Sequence, residues 1–166
     1  MNENLSEDLL LPGEEEEHDP LERNVEDGIA LCLSGGGYRA MLFHVGVLWR
    51  LNELGYLPKL SRISSVSGGS ITAGVLGMRW KAIDFDVRDI GQNFVEQIVS
   101  PIRAMAEHTI DLKAIFSGTL LPGTIGNKVR NAYVEHLFGE ATLQDLPDTP
   151  RFVINATSLQ SGALWR

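Results

Sequence analysis

The 166-residue chain holds a single cysteine, Cys32. No disulfide can form within it, so a reducing compartment, the cytoplasm, is the simpler expectation. It has no run of 18 uninterrupted apolar residues, so no membrane-spanning helix is expected, although peripheral contact with a membrane surface stays open. The N-terminal stretch MNENLSEDLLLPGEEEEH has neither a basic region nor an apolar core of the secretory kind. Basic excess is also missing, the net charge being −8. That charge is local. Residues 1–28 hold 11 of the 22 acidic residues and one basic residue, Arg23, while the remainder holds 11 acids against 13 Lys and Arg. The body is near neutral and offers no basic face, so nucleic acid is not expected as a partner.

What is present divides into two parts. Residues 1–27 read as an acidic, mobile leader, because four consecutive glutamates, Glu14 to Glu17, repel one another and bury nothing. Order is expected from residue 28 to 166. Ile29 to Leu33 form a short apolar run, which predicts a strand buried on both faces of a parallel sheet. YRAMLFHVGVLWRLNELG reads as a nearly all-round apolar helix closed by Gly55. KLSRISSVS reads as a second strand ending at Ser67, and GGSITAGVLGMRW as a helix whose small residues let it lie close to its neighbours. Residues 84–110 are expected to be helical with a break at Pro101, 115–126 to be a loop, and 127–138 to be a helix stopped by Gly139. RFVINATSLQ is a third strand and GALWR looks like the start of a fourth. A chain halting within a strand suggests a fragment, or one of two pieces. The alternation of strands and helices gives an α/β class with a mostly parallel sheet.

Two glycine turns carry the chemistry. In ISSVSGGSITAG, Ser67 stands between a strand and a helix, with Ser65 and Gly69 at the small flanking positions of a G-x-S-x-G elbow. Serine replaces the first glycine of that pattern. Taken alone, Ser67 reads equally well as a helix N-cap. The second turn, SGGGYRA over residues 34–40, also follows a strand and opens a helix. Its glycines let backbone N–H groups face an anion. A hydroxyl at one strand end and a backbone anion site at the next are the minimum for acyl transfer. Gly35, Gly37 and Ala40 also fit a dinucleotide fingerprint. That reading needs an acid at the end of the second strand, whereas Glu53, at the right distance, falls inside a predicted helix.

LSGGGYRAMLFHVGVLWRLNELGYL followed by ISSVSGGSITAGVL resembles the patatin-like phospholipase family. The likeness is strong over residues 28–80 and rests on element order beyond. It implies a three-layer α/β/α fold, incomplete in this chain, and hydrolysis of lipid esters by a Ser–Asp dyad without histidine; no cofactor or metal is expected. Carried over, Ser67 is the nucleophile, Gly35, Gly36 and Gly37 form the oxyanion hole with Gly68 as a further donor, and Arg39 orders the glycine loop.

The family's catalytic aspartate lies in an Asp-Gly motif after the serine, and none follows Ser67 here; Asp27–Gly28 precedes the first strand. The base is therefore expected from a continuation or a second chain, and these 166 residues alone are expected to be nearly inactive. A histidine base is the weaker alternative. His44 reads as a packed helix residue hydrogen-bonded near the glycine loop, His108 and His136 as surface or helix-end residues, and His18 lies in the leader. The apolar segment IFSGTLLPG, with Leu120, Leu121 and Ile125, is a candidate lid over an acyl path or a loop tucked onto the core. The expected substrate is a lipid or phospholipid ester. The alternatives are a catalytically silent binding or assembly module of the same family, and a nucleotide-binding domain.

Overall fold

A computed structural model describes residues 27–107, 125–158 and 160–165. The leader and most of the 115–126 segment, with Leu120 and Leu121, lie outside the described residues. Strand β1 (Ile29–Leu33) leads through the glycine turn to helix α1 (Gly37–Glu53). Strand β2 (Leu60–Val66) leads through Ser67 to helix α2 (Gly68–Arg79). Helix α3 covers residues 94–107, and helix α4 (Ile125–Tyr133) continues as a π-turn over Val134–Phe138. Strand β3 (Arg151–Thr157) and the short β4 (Leu164–Trp165) complete the described chain.

The sheet runs in the order β1-β2-β3-β4, with β1, β2 and β3 parallel and β4 antiparallel to β3. Register brings Leu33 beside Ser65, and Ser65 beside Ile154. Parallel neighbours share a face, so Leu31, Leu33, Ile63, Ser65, Phe152 and Ile154 form one side of the sheet. That side carries the core, in which Leu33, Met41, Leu48, Ile63, Leu76, Phe94 and Ile98 are all but sealed from solvent.

The opposite face is open along β1 and at the end of β2, where Ala30, Cys32 and Val66 are exposed. The expectation that β1 is buried on both faces is thus corrected. An apolar run reports that a strand is apolar, and the layer that would cover its second face is not among the described residues. Helix α1 departs from expectation in the same way: it buries Met41, His44, Val45 and Leu48 while Phe43 remains 67% exposed.

The stretch before α3 also differs from its sequence reading. Residues 84–93 form turns organised by Asp86, which accepts hydrogen bonds from the backbone N–H groups of Arg88 and Ile90. Asn52, buried on α1, grips the same segment through both halves of its amide, accepting from Gly91 N–H and donating to Gly91 O. Pro101 does not break α3. A π-turn over Val95–Val99 precedes it, and the wider turn relieves the clash between the proline ring and the preceding carbonyls. The stop at Gly139 is as expected, with φ at 57°.

Candidate active site

The elbow at Ser67 is strained. Its φ of 55° and ψ of −126° lie where a Cβ is crowded, a conformation that costs of order 1–3 kcal/mol in a residue other than glycine. Ser67 makes no side-chain capping hydrogen bond to α2. The capping role therefore does not explain the serine. The strain does what a nucleophile elbow requires, lifting the hydroxyl clear of the helix it precedes. The residue is exposed, and no group among the described residues accepts its proton.

The glycines around it are set by close approach. A Cβ on Gly69 would run into the Leu33 carbonyl, and one on Gly68 would strike the Gly37 carbonyl and come within 3.1 Å of the Gly35 carbonyl. A Cβ on Gly36 would stand 3.6 Å from Ser67 Oγ. The start of α2 is therefore pressed against the glycine turn, and the serine hydroxyl faces Gly36. The turn itself has Gly35 at φ 101° and Gly37 at φ 69°, values that only glycine adopts freely.

Ser65, at the small position before Ser67, is 2% exposed, so serine suffices there sterically. Thr72 Oγ1 donates to the Met41 carbonyl at 3.0 Å, tying α2 to α1 in the core. Asn155 on β3 donates from Nδ2 to Ser65 O and to Ser64 Oγ, both at 3.0 Å, steadying the strand just before the elbow. Two helix N-termini, those of α1 and α2, thus meet at Ser67. Their unpaired N–H groups make the region favourable to negative charge.

A cavity of about 790 Å³ opens beside the serine. Ile71, Met78, Val134, Phe138, Leu146 and Ile154 give it an apolar wall. Tyr38 and Tyr133 bring two hydroxyls to it, and burial pushes the Tyr38 phenol up to about 12, the adjacent Tyr133 hydroxyl adding to the effect. Tyr38 is therefore a neutral hydroxyl at ordinary pH and no base. Ser70 Oγ, on the same wall, is buried without a hydrogen-bond partner among the described residues. Among the described residues, no Asp or Glu lines the cavity.

A family model described as Patatin-like phospholipase matches residues 31–163. The chain belongs to that family. No curated protein and no solved structure matches the chain significantly. Patatin-like phospholipases are lipid hydrolases as a family, and the α/β arrangement with its parallel strands agrees with their fold.

Within this patatin-like chain the remaining sequence candidates fall as follows. Arg39 is exposed in the first turn of α1. Glu53 sits at the end of α1 in an exposed ion pair with Arg50, not at a strand end where a ribose would need it. His44 is 7% exposed, with Nε2 on the carbonyl of Ser34, as the packed-residue reading expected. Its Nδ1 is buried with no partner among the described residues, an omission that costs about 1–3 kcal/mol. His136 lies in the π-turn after α4, and Ile125 opens α4; His18 and His108 lie outside the described residues. No helix among the described residues is long and apolar enough to cross a membrane.

Sequence reasoning missed the cavity wall. Its signal was the small residues of α2. A Cβ on Gly74 would meet the Phe138 ring at 3.2 Å, and one on Gly77 would collide with Leu146. The glycines showed that something approaches α2 closely, but not what.

Proposed function

We propose that the chain carries the nucleophile and oxyanion half of a lipid acyl hydrolase of the serine type. The observation that carries this reading is the strained Ser67, whose hydroxyl faces Gly36 at the edge of an apolar cavity. Ser67 Oγ attacks the ester carbonyl carbon, and its proton passes to a carboxylate. Backbone N–H groups of the Gly35–Gly37 turn and of Gly68 take the oxyanion. One such donor typically contributes on the order of 2.7–4 kcal/mol to the barrier. Collapse of the tetrahedral intermediate expels the alcohol, which receives the proton, and leaves an acyl-serine. Water then repeats the sequence and frees the fatty acid. The acyl chain occupies the cavity, where each buried methylene contributes about 0.8 kcal/mol.

The carboxylate is the aspartate of a Ser–Asp dyad, supplied by a continuation of the chain or by a second chain. Without a base a serine hydroxyl is a weak nucleophile, so the 166 residues alone turn over little ester. Arg39 orders the glycine turn. A surface of lipid ester is the natural partner, met peripherally, and the compartment is the cytoplasm.

A fluorophosphonate probe tests the reading. In the protein with its carboxylate present, the probe labels Ser67 and Ser67→Ala abolishes both label and ester hydrolysis. Absence of labelling there would favour the silent binding module, for which the lack of an acid on the cavity wall is the supporting observation.

A further inference from the structure

We infer that His44 is a positioning residue for the glycine turn: its Nε2–H, held on the Ser34 carbonyl, aims the first amide of the turn toward Ser67. Its catalytic meaning rests on the function proposed above.

A carbonyl oxygen can only accept, so the 2.5 Å contact puts the imidazole proton on Nε2. Nδ1 then bears a lone pair, and it is the nitrogen left buried without a partner among the described residues. A leucine or methionine at this place in α1 would leave no orphan nitrogen. The ring is thus unfavourable for stability on one side, and its single hydrogen bond is what distinguishes it from an apolar filler.

The bond falls at a point of leverage. Ser34 C=O and Gly35 N–H belong to one planar trans peptide unit and point in opposite directions. Fixing the carbonyl fixes the amide. Gly35, at φ 101°, has no Cβ to resist rotation of that unit, so the sequence around the turn cannot hold it alone. The imidazole can, because a side chain on a helix leans toward the N-terminus, and this one reaches back ten residues to the strand end that feeds the turn. Loss of the bond frees the peptide to flip, which turns the Gly35 N–H away from the oxyanion position while leaving the cavity as it is.

The test uses three substitutions and two readouts. In His44→Gln the amide nitrogen reaches the place of Nε2. In His44→Asn it stops near the place of Nδ1, and in His44→Leu the volume is filled without a donor. Imidazole ¹⁵N spectra of the unsubstituted chain are expected to show the proton on Nε2. Amide shifts and hydrogen exchange of Gly35, Gly36 and Gly37 are expected to stay near those of the original protein in His44→Gln. Exchange is expected to quicken in both other variants. In the protein with its carboxylate present, His44→Asn and His44→Leu lower kcat by about 10- to 100-fold with KM unchanged, short of the full loss of a donor, and His44→Gln restores most of it.

A proton found on Nδ1, which needs no variant to fold, overturns the inference. So does a leucine variant whose glycine amides match those of the glutamine variant. If the amides respond as expected while Ser67 never takes the probe, the positioning role stands and the hydrolase reading fails.

Discussion

Replacing Ser67 with glycine should stabilise this protein, although it removes the proposed nucleophile. The comparison that isolates the effect is Ser67→Gly against Ser67→Ala. Both lose the hydroxyl, and only the alanine keeps the Cβ that is crowded at φ 55° and ψ −126°. Relief of that crowding returns of order 1–3 kcal/mol. Against it stands the greater freedom of glycine in the unfolded chain, worth roughly 0.5–1 kcal/mol. The difference centres near 1 kcal/mol in favour of glycine, which for a chain of this size is a rise of about 2–4 °C in Tm. At an unstrained position the same comparison has the opposite sign. Thermal or urea unfolding of the two variants, followed by circular dichroism, reads it directly. An alanine variant as stable as the glycine variant, or more so, would show that the elbow stores no strain, and with that the case for Ser67 as more than a turn residue loses its main support.

Other consequences follow from the same geometry. Gly69→Ala drives a methyl into the Leu33 carbonyl and should cost about 1–3 kcal/mol as an overpacked contact, whereas Gly46→Ala, with nothing within 4 Å, should gain roughly 0.5–1 kcal/mol; opposite shifts in the urea midpoint are the expected pair of results. Asn52→Leu strands the buried N–H and C=O of Gly91 and should cost about 2–4 kcal/mol, with proteolysis quickening first in the 84–93 segment. Asp86 has its carboxyl held below the ordinary value of 3.8, chiefly by the Ile90 N–H with that of Arg88 assisting. A depressed folded-state value means the contribution is present above the unfolded value and is lost as pH falls through the folded one, so Asp86→Asn should lower stability at neutral pH and flatten the acid limb below about pH 4, the two proteins converging in acid.

How far the sequence speaks for itself depends on the distance over which each feature is determined. The two turns were legible because each is local. Three consecutive glycines after an apolar strand permit the positive-φ conformations seen at Gly35 and Gly37, and Ser-Gly-Gly before a run of small residues fits an elbow. The His44 contact was also within reach, since a helix fixes where a residue seven positions beyond Gly37 can point. Three features were not legible. The grip of Asn52 on Gly91 joins residues 39 apart, and no short pattern encodes it. Pro101 reads as a helix breaker in any window, because the π-turn that accommodates it is a property of the whole segment. The burial of β1 was misread because side-chain polarity is a property of the strand, while burial also depends on elements packed against it. The cavity lies between these cases. Gly74 and Gly77 announce that α2 is closely approached, and only the folded chain identifies Phe138 and Leu146 as what approaches. The local features build the reacting centre and the nonlocal ones build the space around it. Sequence alone could therefore suggest a candidate nucleophile and candidate oxyanion donors, but it left unseen the apolar wall beside them.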